Sequence, residues 1–173
     1  GKVGQNRDAQ GLSEYSIAAS STAIYQNDPV KMANTGEVEV GAAAEVLLGS
    51  LNGVFFTDAT TSKPTYANHL KAANTATDIV GFISDDPYER FEVQSAGTVA
   101  QTNIGNCADI SYSAGSSPNY VSKTEISGTM AAGAAQLKIM GVSKDPDNNE
   151  LGSANANVVV TINEHFLKQT AGI

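Results

Sequence analysis

The chain has 173 residues, a formal net charge of −8, one cysteine and no tryptophan, a size that fits one domain or one domain with a small appendage. An acidic surface repels phosphate and no basic cluster offsets it, which argues against direct binding of DNA or RNA. The lone Cys107 excludes an intrachain disulfide, and no apolar run approaches the roughly 20 residues of a membrane span.

In chain order, Gly1 to Ser13 is polar and aperiodic, which predicts an extended arm. Its start, GKVGQNRDAQG, shows no signal-peptide pattern. Tyr15 to Ala19 and Ala23 to Tyr25 are short strand candidates, and Asn27-Asp28-Pro29 is a turn signal. Pro29 to Met32 and Glu37 to Val40 read as a hairpin around an Asn34-Thr35-Gly36 tip, with Val38 and Val40 on one face and Glu37 and Glu39 on the other. Ala42 to Leu48 fits helix or strand. Gly49 and Gly53 count against a helix, so a strand is expected over Val46 to Leu51, continuing over Val54 to Phe56. Pro64 to Leu70 reads as irregular extended chain.

The second half is clearer. Ile79 to Ser84 is apolar on both faces, as in a central strand. Asp85-Asp86-Pro87 is a turn, and Arg90 to Gln94 turns Phe91 and Val93 inward. A short helical turn is expected within Val99 to Gly105, and strands over Asp109 to Ser113, Gln136 to Val142 and Val158 to Ile162. Lys144 to Asn155 is a long polar loop. Strand candidates recurring about every 10 residues predict an all-β fold, barrel-like or sandwiched, with no linker long enough to separate independent domains.

Little in the sequence points to catalysis. His69 and His165 are far apart and lack the clustered partners of a metal site. The loop from Asp145 to Glu150 has the composition of a calcium loop. It lacks the Gly and Glu that an EF-hand needs at its sixth and twelfth positions, so it predicts a self-bonded turn. Asp85, Asp86 and Glu89 lie close together in what reads as a solvated turn, and Cys107 as a small buried apolar side chain. No cofactor-binding, P-loop or nucleophile-elbow pattern is present, which points to a structural or binding role with neither cofactor nor metal.

Several strings carry a family resemblance. They are D-P-x-x-x-F-E-V-Q at Asp86 to Gln94, L-K-I-x-G at Leu137 to Gly141, D-P-D-N at Asp145 to Asn148 and V-x-I-N-E-H at Val160 to His165, with GVFFTDATTSKPTYANHL upstream. Over roughly Val46 to Leu167 the chain resembles the capsid decoration, or cement, proteins of tailed phages. The resemblance implies a non-enzymatic homotrimer on the outer surface of an icosahedral virion. There it would bridge capsomers of the major capsid protein, touching neither nucleic acid nor membrane.

Together these readings predict a barrel-like or tulip-like antiparallel β domain over residues 14–173 with an N-terminal arm over 1–13. The expected capsid or subunit contacts are Val3, Arg7 and Leu12 in the arm and Asn34 at the hairpin tip. One alternative is a receptor- or carbohydrate-binding β module of a phage fibre or adhesin, with Tyr88, Tyr112 and Tyr120 as its platform. The other is a hydrolase-like enzyme, which requires a deep pocket joining Asp85, Asp86 and His69.

Overall fold

The structure is a computed structural model; it describes residues 11–19, 22–170 and 172. The chain is all-β, and every ladder between its strands is antiparallel. Its strands form a six-stranded sheet in the first half of the chain and, in the second half, a four-stranded sheet with a separate two-stranded pair.

The first sheet contains β1 (Ser13–Ser16), β2 (Pro29–Met32), β3 (Val38–Val40), β4 (Gly49–Thr57), β5 (Pro64–Ala67) and β6 (Val80–Ser84). They run in the order β1-β6-β4-β2-β3, with β5 beside β4. The hairpin expected around Asn34 is present as β2 and β3, in the register Val30 to Val40 and Met32 to Val38. β6 is central, flanked by β1 and β4. Two expectations need correction. The strand expected from Val46 and continuing through Val54 to Phe56 begins only at Gly49 and runs to Thr57 as β4. Pro64–Ala67, expected as irregular chain, pairs with Val54 to Thr57. In β4 the register slips between Leu51 and Gly53, so the buried positions are Gly49, Leu51 and Val54. This bulge re-phases the strand and masks its alternation in the sequence.

The sheet curls until its edges meet at one bridge, Ile17 to Val38. It encloses a core that includes Val30, Leu48, Leu51, Leu70 and Ile83, each fully buried. Tight packing is enforced where β4 begins. A side chain at Gly49 would collide with the Ser84 carbonyl, so only glycine lets the strand start there.

The second sheet has the order β7 (Arg90–Gln94), β12 (Asn157–Ile162), β11 (Leu137–Val142), β8 (Cys107–Ala108). A small pair, β9 (Ile110–Ser111) with β10 (Glu125–Ile126), follows β8 and returns toward β7 through a bridge from Ser95 to Ile126. The predicted alternation holds: Leu137 and Ile139, and Val158, Val160 and Ile162, are buried in a second core. The helical turn expected after Val99 is a 3₁₀ turn at Gln101–Asn103. Cys107 is buried and packs as a core side chain. The antiparallel all-β fold expected from strand spacing is therefore present, and among the described residues no barrel closes through a continuous ladder.

The two halves are clasped at Leu47 and Leu48. Adjacent side chains alternate in direction, and here Leu47 enters the second core while Leu48 enters the first. Leu47 exchanges backbone bonds with Glu164 (3.0 Å) and Phe166 (2.8 Å), whereas the Leu48 amide donates to Val30 (2.7 Å). Gln136, fully buried, fixes the same seam. Its amide nitrogen donates to the carbonyls of Ala42 and Glu45 (both 2.7 Å), and its side-chain oxygen accepts from the Ile110 amide (3.0 Å). A buried amide with this many partners is stable only while all of them are present.

Candidate binding cleft

Between the halves lies an open cleft of about 910 Å³. One wall is β7 along its whole length, Arg90 to Gln94. The opposite wall is the segment Val121 to Glu125 that leads into β10. Leu47, Ile110, Leu137, Val160 and Ile162 contribute apolar floor, and Arg90, Glu92, Lys123 and Glu125 place charges of both signs around the rim. An apolar floor under a mixed polar rim is the usual composition of a recognition site.

The far wall is rigid because it is fastened to the other half of the molecule. Gln26 accepts from the Ser122 amide (2.7 Å) and donates its own amide to the Tyr120 carbonyl (3.1 Å). The Asn68 side-chain amide donates to the Asn119 carbonyl (3.2 Å). Tyr120, in a left-handed backbone conformation (φ 54°), lays its ring on His69 at a centroid distance of 4.0 Å, nearly parallel. The Tyr25 ring lies nearly parallel to both, 6.2 Å from His69 and 6.3 Å from Tyr120. His69 is buried, and that burial, with the nearby charge of Lys71, holds its imidazole below the usual range. It is a packing element here.

Asp28 sits behind the cleft between two lining residues, Asn27 and Pro29, and is fully buried. Burial raises its carboxyl above the usual range, against opposing hydrogen bonds from Ser122, the Tyr25 amide and Tyr112. One carboxylate oxygen accepts from the Tyr25 amide at 2.8 Å and from the Tyr112 hydroxyl at 3.4 Å. Burial, then the charge of Asp28, pushes the Tyr112 hydroxyl up to about 12. These groups tie the Asn27 turn to the second half through one shared acceptor.

The sequence-predicted site residues are dispersed. Val3 and Arg7 lie outside the described residues. Leu12 is half-buried just ahead of β1, and Asn34 is exposed at the hairpin tip; neither lines the cleft. The solvated turn expected at Asp85 is a correction: Asp85 is buried, because Ser13 and Tyr15 donate their hydroxyls to its carboxylate at 3.0 and 2.6 Å. Asp86 remains exposed. Asp85, Asp86 and His69 do not line the cleft. Of the tyrosines considered as a sugar platform, Tyr88 is 81% exposed with Lys168 over its ring, while Tyr112 and Tyr120 are engaged as described. The polar loop at Asp145 forms a self-bonded turn, with the Asp147 amide on the Asp145 carboxylate (3.1 Å). Among the described residues no group of three or more potential metal ligands converges, and no helix is long and apolar enough to cross a membrane.

The structure adds a surface that the sequence reading missed. On the outside of β5, β4 and β6, Tyr66 is 75% exposed and meets Phe55 at 4.7 Å and Phe82 at 6.4 Å. Phe55 and Tyr66 are directly opposed across the strands, where aromatic side chains attract each other. Phe82 is opposite Gly53, which has no side chain to separate the rings. The signal in the sequence was the aromatic residue in P-T-Y-A, hidden once that segment was read as irregular.

Comparison with known proteins found no matching family model, no matching curated protein and no matching solved structure.

Proposed function

We propose that this chain is a non-enzymatic structural protein that decorates the outer surface of a tailed-phage icosahedral capsid. As a homotrimer it bridges capsomers of the major capsid protein and stiffens the shell. The observation that carries this reading is an outer aromatic cluster, the exposed Tyr66 with the half-buried Phe55 and Phe82, on a sheet whose inner side is tightly packed. Large aromatic side chains held rigidly at a surface are the residues that dominate protein contacts. The acidic net charge fits a position outside a DNA-filled head. The sequence resemblance supplies the class of partner. Several modest contacts per trimer add up through avidity.

A cryo-electron map of the particle tests the proposal. Density for this chain is expected on the outer shell at three-fold or quasi-three-fold positions. Density inside the head or at the tail tip overturns the reading. Tyr66→Ser is expected to weaken binding to particles lacking the protein by about tenfold or more.

A second reading, a carbohydrate-binding module of a fibre or adhesin, is favoured by the exposure of Tyr66 and Tyr88. A glycan array showing binding that is lost in Tyr66→Ala or Tyr88→Ala selects this reading over the first.

A further inference from the structure

Among the described residues β7 has a strand on one side only, β12, and its other edge forms a wall of the cleft. The Ser95 amide donates to the Ala156 carbonyl (3.0 Å), in register with the pairs Val93 to Val158 and Phe91 to Val160. By antiparallel alternation the main-chain groups of Arg90 and Glu92 therefore turn away from β12 and toward the cleft. A strand edge of this kind is a template for another extended chain. The opposite wall, Val121 to Glu125, runs parallel to β7, as the bridge from Ser95 to Ile126 shows. Beside that bridge the slot is pinched, where the Ala96 amide donates to Ile126 (2.9 Å).

These features define what fits. A chain lying between two parallel walls is antiparallel to both, the orientation of every ladder between strands of the molecule. Opposed residues in a ladder share a face. Phe91 and Val93 pack against the second core, so residues opposed to them lie over the apolar floor of Leu137, Val160 and Ile162. Arg90, Glu92 and Gln94 are exposed, and residues opposed to them point to solvent. Charge decides these outer positions. Glu92 already accepts from Ser143 (2.8 Å) and Asn157 (3.4 Å), and Lys123 donates to Ser116 (2.8 Å). Among the described residues no hydrogen bond or ion pair engages the side chains of Arg90 and Glu125. Arg90 stands at the open end of the slot, and Glu125, next to Ile126, at the pinched end. A chain antiparallel to β7 meets Glu125 with its N-terminal end and Arg90 with its C-terminal end.

We propose that the cleft binds an extended segment of a partner protein as an added strand antiparallel to β7. The segment carries apolar side chains at alternate positions, a basic residue toward its N-terminal end and an acidic residue opposite Arg90. Main-chain bonds to Arg90 and Glu92 supply affinity, and the order of charges fixes direction and register.

The probe is the peptide acetyl-Lys-Val-Thr-Val-Glu-Thr-amide, titrated into the full chain and followed at the backbone amides by NMR. Shifts at Arg90 and Glu92 are expected to saturate at millimolar peptide or below. The charge-reversed acetyl-Glu-Val-Thr-Val-Lys-Thr-amide is expected to bind about tenfold or more weakly. Arg90→Glu, at an exposed side chain, is expected to narrow or invert that preference. N-methylation of the peptide at its glutamate and at the threonine between the valines removes two ladder donors and is expected to abolish saturation. Absence of shifts at Arg90 and Glu92, or equal binding by the N-methylated peptide, overturns the proposal. Shifts at these amides that grow with protein concentration before peptide is added assign the slot to a second copy and overturn it as well. No particle is needed, so the outcome is separate from that of the decoration reading.

Discussion

In the first half of the molecule the edge strands meet at Ile17 and Val38, and the core behind them is sealed. In the second half the corresponding return, from Ser95 to Ile126, is likewise one bridge, but beside it the walls diverge into a cleft of about 910 Å³. Both halves use short antiparallel strands and aliphatic cores of similar residues. Each half has edge strands with one partner, β1 and β3 in the first and β7 in the second; the difference is that the first-half edges approach each other over a buried core, whereas β7 stands along the wall of the cleft. Closure, more than core composition, decides which half is a scaffold and which half offers a site.

The sharpest way to break the comparison is to open the sealed half. Gly49→Ala places a methyl group against the Ser84 backbone, which cannot yield as a side chain would. The loss should equal or exceed the upper end of the about 1–3 kcal/mol typical of overpacking. Thermal unfolding checks it, and an unchanged Tm would show that β4 and β6 can separate freely. A matched pair comes next. Leu51→Ala in the sealed core should cost about 2–5 kcal/mol. Leu47→Ala, whose side chain borders the cleft, should cost less, because water can reach the vacated space. Equal losses in denaturant titrations would mean that the cleft is as tightly held as the core.

Gln136→Leu tests how the halves are joined. It leaves two carbonyls and the Ile110 amide without their partner, at about 1–3 kcal/mol for each group that stays buried. Calorimetry should show a broadened or divided transition as the halves begin to unfold separately. A single sharp transition at the original temperature would remove Gln136 from the seam.

The smallest effect is a dependence on pH. Burial lowers both histidines, with Lys71 assisting at His69 and Lys168 at His165, where Asp85 and Asp86 pull the other way. The unfolded chain therefore binds more protons than the folded chain as pH falls below 6.5. Their contribution is present above that value and is lost on acidification through the depressed folded values. Asp28 has the opposite sign. Its raised carboxyl favours the folded state at low pH, and that contribution falls as pH rises above 3.8. Urea midpoints should thus climb from about pH 5 to about pH 7. His69→Phe, which keeps an aromatic ring against Tyr120, should flatten the slope.

Much of the strand content was legible because alternation at Val38 and Val40, Phe91 and Val93, and Leu137 and Ile139 follows directly from one face packing, fully or partly buried, against a core. The extent of β4 was not, because its bulge shifts the buried phase from Leu51 to Val54. Alternation also does not say which sheet a strand joins, so the division into separate sheets was not legible. Asp85 looked solvated because its donors, Ser13 and Tyr15, lie 72 and 70 residues away in sequence. The cleft was invisible for the same reason. Its walls come from separate stretches around Pro29, Ser50, Phe91, Thr124 and Val160, and no local motif unites them.

The divergence of Leu47 and Leu48 has a consequence for biosynthesis. The buried residues of the first core all lie between Ile17 and Ile83, so that core can condense while later residues are still within the ribosome. Leu47 then waits uncovered until β11 and β12, which begin only at Leu137 and Asn157, have emerged. A one-residue deletion at this dipeptide would leave one leucine to serve two interiors. The spacing of two neighbouring side chains therefore keeps both halves of the nascent protein in frame.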